Sequence, residues 1–113
     1  IGMKQPIQIY YGAKSEHELY FVEHFKGMSQ INNNLKFTPV VIEKTKNINI
    51  KQGLVTDVVI QDIDDFDGYK AYLAGPPKMV EAAEKILLSK GIRKVDMHSD
   101  AFYTPFDEIK EQK

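Results

Sequence analysis

Three turns of this 113-residue chain carry the residues most able to bind a ligand. Each turn follows an apolar segment that is predicted as a strand. The turns contain Gly12 and Lys14, then Gly75, Pro76 and Pro77, and finally the residues 98–103. In an open parallel sheet the ligand crevice lies beyond the carboxyl ends of the strands, so the three turns should face one rim. Taken singly, each has a plainer explanation, because glycine lets a chain reverse and proline suits the first turn of a helix.

Other catalytic chemistry finds little support in the sequence. His17 and His24 are too far apart for the i,i+4 pair that binds a metal on one helix, and His98 stands alone. The acidic run 62–67 lacks the glycine and the terminal glutamate of a calcium loop. There is no cysteine and no Gly-x-Ser-x-Gly elbow. We therefore predict neither a metal site nor hydrolase activity.

The elements that must position these turns alternate between strand and helix. Strands are predicted over 6–11, 35–42, 69–74 and 93–98, and helices after the capping box of Ser15 and Glu18 and after Pro76. Segment 54–60 fits a strand or one side of a helix equally well, and 43–52 is predicted as a solvated loop. Because Pro39 cannot donate to a ladder, the strand 35–42 is placed at a sheet edge. The alternation indicates an α/β fold with a parallel open sheet.

Composition and charge narrow the class of protein. Fifteen Lys and Arg against sixteen Asp and Glu give a net charge of -1, so nucleic-acid binding lacks the positive charge on which it depends. No apolar run approaches the roughly 20 residues that cross a bilayer. We predict a cytoplasmic chain with neither a nucleic-acid nor a membrane partner, in which 1–103 form one domain and 104–113 a charged tail.

Four stretches of sequence follow one another in a specific order. They are Tyr10-Tyr11-Gly12-Ala13-Lys14 with Glu18-Leu19-Tyr20, Gly53-Leu54-Val55-Thr56-Asp57, Tyr72-Leu73-Ala74-Gly75-Pro76-Pro77-Lys78-Met79-Val80, and His98-Ser99-Asp100-Ala101-Phe102. Together they resemble the NAD(P)-binding domain of the ferredoxin-NADP reductase superfamily. The resemblance covers nearly the whole chain, and it is nearest to the flavin and iron-sulfur reductase components of bacterial oxygenases and of deoxysugar dehydratase systems.

The resemblance implies hydride transfer from NADH or NADPH to a flavin, followed by electron delivery to an iron-sulfur or oxygenase partner. The residues that it assigns to cofactor binding are Gly12, Lys14, Gly75, Pro76, Pro77 and Met79. The Gly-Pro-Pro turn would pass along the nicotinamide and its ribose, and Lys14 would meet a phosphate or a ribose hydroxyl. Phe102, the residue assigned a catalytic place, would stack on the flavin ring. The resemblance also makes segment 54–60 a short helix.

Two departures from the family pattern bear on activity. Ala74 stands where the family often has a cysteine close to the reacting nicotinamide carbon. In addition, 1–6 do not supply the first strand and glycine-rich loop with which the family domain begins. The resemblance thus indicates a partial domain that lacks its first strand and helix and is inactive alone. Its parent would be an NAD(P)H-dependent flavin reductase. FAD would bind to a flavin-binding domain that is absent from this chain, and the parent could also hold a 2Fe-2S cluster.

The same alternation of strands and helices is also typical of a second class of protein. It is a non-enzymatic α/β binding module of the flavodoxin or receiver type. A receiver needs paired acids after its first strand and a phosphorylated aspartate after a later one. Here the first predicted strand ends in Tyr11-Gly12, and the acids at 62–67 precede a strand.

The family sheet has the strand order 3-2-1-4-5, so a chain without the first strand would have a gap in its centre. Unpaired backbone groups along such a gap would cost about 1 to 3 kcal/mol each. Either the strand 6–11 pairs directly with 69–74, or another copy of the chain fills the gap by strand addition or swapping. We expect the direct pairing. We also expect the flanks left uncovered to support a homodimer.

Overall fold

A parallel sheet of five strands forms the centre of the computed structural model, which describes residues 5–19 and 22–101. The strands are β1 (Ile7–Ala13), β2 (Leu35–Val41), β3 (Lys51–Gln52), β4 (Lys70–Gly75) and β5 (Met97–Ala101). The helices are α1 (Val22–Ile31), α2 (Val55–Asp62) and α3 (Pro77–Ser89). The order across the sheet is β3-β2-β1-β4-β5. The predicted α/β class with a parallel open sheet is confirmed.

Direct pairing of β1 with β4 confirms the expected closure of the sheet. Their ladder runs from Ile7 opposite Lys70 to Tyr11 opposite Ala74. Beyond that point each strand continues only with its other neighbour, β1 beside β2 and β4 beside β5. The sheet therefore divides at its carboxyl edge between β1 and β4, and we call this place the fork.

The prediction that the strand 35–42 lies at the sheet edge is wrong. β3 pairs with the last two residues of β2, placing Lys51 beside Val40 and Gln52 beside Val41. Pro39 precedes these two positions, so its missing N–H does not prevent the pairing. β3 falls within 43–52, the segment predicted as a loop, because two exposed polar residues give no strand pattern.

The helix α1 begins later than the capping box predicts. The Ser15 side chain makes no capping hydrogen bond, and Glu16–Glu18 form a 3-10 turn. The Glu18 carboxylate instead accepts a hydrogen bond from the backbone N–H of Lys14 at 3.2 Å. The helix then continues through Gly27 to Ile31.

The remaining elements agree with prediction to within a few residues. Segment 54–60 lies within α2, which confirms the helix that the resemblance implies. β1 extends through Gly12 and Ala13 rather than stopping before them. β5 begins only at Met97, because Lys94–Asp96 form a 3-10 turn. None of the described helices is long and apolar enough to cross a membrane. The predicted boundary after 103, the charged tail and Phe102 lie outside the described residues.

The two faces of the sheet carry separate cores. On one face, α2 and α3 bury Tyr10, Val40 and Leu73 of the sheet. On the other, α1 inserts Phe25 among the strand aromatics, so the connections β1-α1-β2 and β3-α2-β4 cross opposite faces. The chain thus reverses its winding between β1 and β4. This is the topological switch point at which open α/β sheets bind ligands.

Candidate functional site

A cavity of about 300 Å³ lies at the carboxyl edge of the sheet, next to the fork. Its walls come from the ends of β1 and β2 and from the first turns of α2 and α3. Gly12, Gly53, Val55, Pro76 and Met79 are among the residues that line it. Because the switch point of the sheet lies at the same place, the cavity is the leading candidate for a ligand site.

Two glycines and one methionine pack tightly at the fork. A Cβ atom on Gly12 would lie 2.1 Å from the Sδ atom of Met79 and 2.7 Å from Cγ2 of Val55. A Cβ atom on Gly75 would lie 2.6 Å from the carbonyl oxygen of Gly12 and 2.8 Å from Cε of Met79. Gly75 also has φ = +151°, a conformation that favours glycine. The Met79 thioether therefore covers both glycines and forms one wall of the cavity.

The first turns of two helices offer hydrogen-bond donors at the cavity. Neither α2 nor α3 has a side-chain cap at its first residue. Helix geometry leaves the N–H groups of Thr56, Asp57, Lys78 and Met79 without an intrahelical acceptor. These donors, the positive ends of the two helix dipoles and the Lys78 ammonium favour a negatively charged group. The other walls are mainly apolar, and the exposed side chains of Ile42 and Leu54 extend them at the rim.

The groups whose pKa is displaced lie elsewhere. Burial, together with the hydrogen bond that the Tyr10 hydroxyl donates to Asp62 at 2.8 Å, raises the pKa of Tyr10. Burial and a 2.5 Å hydrogen bond to Asp100 raise the pKa of Tyr72 to about 12. Neither tyrosine lines the cavity. Within 5–19 and 22–101, no group of three or more His, Asp or Glu side chains could hold a metal. The cavity thus offers apolar walls and hydrogen-bond donors, which suit binding and orienting a ligand.

Comparison with known proteins decides the family. Residues 2–85 match the family model described as the oxidoreductase NAD-binding domain. The chain belongs to this family. The match confirms the resemblance to the NAD(P)-binding domain of the ferredoxin-NADP reductase superfamily.

Similar proteins are reductase components. The ferredoxin-NAD(P)(+) reductase component of the naphthalene 1,2-dioxygenase/salicylate 5-hydroxylase systems of Ralstonia sp is 37% identical over 102 residues, covering 90% of this chain and 31% of that protein. A probable flavin reductase of Vibrio harveyi is 34% identical, over 89% of this chain and 44% of that protein. The structure of the Amycolatopsis cytochrome P450 reductase GcoB matches with a TM-score of 0.65 and 25% identity, over 84% of this chain and 28% of that one. The chain thus spans between 28% and 44% of the length of these proteins.

The NAD-binding domain brings together four of the residues that the resemblance assigned to cofactor binding. Gly12, Pro76 and Met79 line the cavity, and Gly75 lies against Gly12 and Met79. Pro77 is the first residue of α3 and fixes where that helix begins. Lys14 does not line the cavity. Its carbonyl oxygen accepts a hydrogen bond from the backbone N–H of Glu43.

Several lining residues were not assigned to the site from sequence. Among them are Gly53, Leu54, Val55 and Thr56 at the start of α2, and Lys78 at the start of α3. All five belong to the quoted family stretches, so the resemblance carried a signal that they lie near the ligand. No periodicity within the chain could have shown it, because the cavity forms only when α2 packs across β1 and β2.

Proposed function

We propose that this chain is the NAD(P)-binding part of an oxidoreductase that moves a hydride from NADH or NADPH to a flavin and delivers electrons to an iron-sulfur or oxygenase partner. The observation that carries the proposal is the pair Gly12 and Gly75 at the fork, beside an apolar cavity with helix N–H donors. The reductase names of the relatives support it. The flavodoxin-like or receiver-like alternative has no corresponding observation in its favour.

The cavity fits one part of a dinucleotide. Its apolar walls suit a planar ring, and the donors at the starts of α2 and α3 suit a phosphate or a ribose hydroxyl. In the proposal Gly75, Pro76 and Met79 lie along the nicotinamide and its ribose, with Pro77 setting the direction of α3. Lys14 and Gly12 lie toward the adenosine end.

When bound, NADH or NADPH supplies the hydride, and this chain supplies its placement. Ala74, at the position where the family often has a cysteine, is fully buried against the α1 side of the sheet. It offers no polar group to the cofactor. We therefore propose that hydride transfer depends on positioning by the backbone at the fork, with Phe102 placed next to the flavin ring.

The remaining cofactors of the proposed reductase bind outside this chain. A cavity of about 300 Å³ is at the lower end of the range for small-molecule sites, roughly 300 to 1,000 Å³, so it has no room for FAD beside a dinucleotide. The chain has no cysteine to ligate a 2Fe-2S cluster. We propose that a flavin-binding domain holds FAD and that the chain alone reduces no flavin. We also propose a cytoplasmic location, which cell fractionation tests, and a homodimer, whose surface is derived below.

We expect the 113-residue chain to bind NADH and NADPH with millimolar dissociation constants, which correspond to a binding free energy of about -4 kcal/mol. None of its seven glycines forms a Gly-x-Gly turn, so the backbone cradle that holds a pyrophosphate is missing. Calorimetry with each dinucleotide measures the affinity. Leu54→Asp at the cavity rim should weaken binding further, because it adds a negative charge where a phosphate approaches.

The matched control is Ile31→Asp, which adds the same charge at an exposed residue of α1 that does not line the cavity. Its affinity should equal that of the unaltered chain. Equal losses from the two variants, or micromolar affinity that Leu54→Asp leaves unchanged, would place the dinucleotide somewhere other than the cavity.

A further inference from the structure

The outer edge of β5 is open to pairing with another strand. β5 pairs with β4 from Met97 opposite Ala71 to Ala101 opposite Gly75. In the described part of the chain no strand lies on its other side. Four of its five residues, from His98 onward, are exposed. Such an edge presents a row of backbone N–H and C=O groups to any chain that approaches it.

The opposite edge of the same sheet is protected. β3 is only two residues long and contains Lys51, and β2 beside it contains Pro39. Short strands, lysine and proline are the means by which natural sheets avoid pairing edge to edge. β5 is longer and has neither lysine nor proline. The two edges therefore differ in the way expected if only β5 is used for association.

The sequence of β5 is complementary to itself, because it contains a histidine and a carboxylate on either side of Ser99. Paired residues of parallel strands share a face, so His98, beside Tyr72, and Asp100, beside Ala74, point to the same side of the sheet. In an antiparallel pair of two β5 strands centred on Ser99, His98 would lie opposite Asp100 of the partner subunit. Two-fold symmetry forms this contact twice. There the imidazole N–H can donate a hydrogen bond to the carboxylate, and such cross-strand pairs stabilise the sheet.

Two side-chain hydrogen bonds already fix β5 in place. The Tyr72 hydroxyl donates to Oδ2 of Asp100 at 2.5 Å, which holds the carboxylate on that face and leaves its second oxygen available to a facing histidine. On the opposite face the Ser99 hydroxyl donates to Oε2 of Glu84 at 2.8 Å. A strand that is ordered before association loses less conformational entropy when it pairs.

We infer that β5 is the homodimer interface and that its partner is a second copy of this chain, added antiparallel so that the two sheets become continuous. The mode is β-strand addition, in which the backbone provides affinity and the facing side chains set the register. The interface gives the proposed homodimer a surface, and it does not depend on the oxidoreductase assignment.

Sedimentation equilibrium of the full 113-residue chain tests this interface. We expect a reversible dimer with a dissociation constant of about 10 to 100 μM. His98→Asp should raise that constant at least about tenfold, because like charges would then face each other twice. The exchange variant His98→Asp/Asp100→His should recover at least half of that loss in association free energy, since an imidazole again faces a carboxylate twice, although residue 100 no longer accepts the Tyr72 hydrogen bond. A purely structural defect in β5 would not be corrected by the second change.

The control for a different surface is Leu54→Asp, at the apolar rim of the cavity. It should leave the dimer intact. A monomeric unaltered chain would overturn the inference, as would dimerisation that survives His98→Asp but is lost in Leu54→Asp. Calorimetry with NADH keeps the two proposals apart, because Leu54→Asp should weaken NADH binding while the dimer persists.

Discussion

Gly75→Ala should remove at least about 3 kcal/mol of the unfolding free energy, a large share of the roughly 5 to 15 kcal/mol of a typical domain. Gly75 has φ = +151°, where a Cβ atom is strained in any surroundings. The added methyl would also lie 2.6 Å from the carbonyl oxygen of Gly12, a backbone atom that cannot move without breaking the β1 ladder. Urea denaturation followed by circular dichroism measures the loss.

Gly12→Ala provides the matched comparison, because its main overlap is with a flexible side chain. The new methyl would lie 2.1 Å from Sδ of Met79, and Met79→Ala would remove that atom. A double-mutant cycle should therefore show Met79→Ala recovering at least about 1 kcal/mol of the Gly12→Ala loss. In the corresponding cycle with Gly75→Ala, Met79→Ala should recover much less of the lost unfolding free energy. If Gly75→Ala were tolerated, the close packing at the fork would be wrong.

Phe25→Ala should cost about 3 to 5 kcal/mol of unfolding free energy, the usual range for deleting a buried phenylalanine. The Phe25 ring lies with its centroid 5.5 Å from Tyr11, 5.6 Å from Phe37 and 5.7 Å from Tyr72. It therefore joins α1 to three strands at once. Denaturation curves give the energy, and near-ultraviolet circular dichroism should lose the signal of these packed aromatics.

Ile31→Ala in the same helix is the control. Ile31 is 83% exposed, so its replacement should change stability by no more than about 0.5 kcal/mol. Comparable losses from the two substitutions would contradict the packing of Phe25 as the contact that holds α1 to the sheet.

Elements of the fold could be predicted where the residues at their ends and the pattern of apolar residues indicate the same structure. The helix α3 begins at a proline and is followed by glycine, and its apolar residues share one face, so sequence alone located it. Segment 54–60 was different. Its β-branched residues favour a strand, and only the family resemblance resolved it as α2. The two-residue β3 had no local signal, because it depends on pairing with β2. The late start of α1 was missed because the Glu18 carboxylate accepts from Lys14 instead of completing the capping box.

The site was predictable in its glycines and prolines but not in its shape. The turn sequences indicated Gly12 and Gly75, and the topology of parallel strands placed them on one rim. That Met79 would cover both glycines follows from the direct pairing of β1 with β4, which brings the start of α3 over the fork. The contribution of Gly53 to Thr56 likewise depends on how α2 crosses the sheet.

Methyl NMR of the chain labelled with [¹³C-methyl]methionine tests the central claim, that the cavity at the fork binds the dinucleotide. Titration with NADH should shift the Met79 methyl resonance saturably, since this methyl forms part of the cavity wall. Met28, which packs on the α1 side of the sheet, and Met97, at the start of β5, are internal controls that should not move. Saturable shifts at Met28 or Met97 with Met79 unchanged would contradict the account.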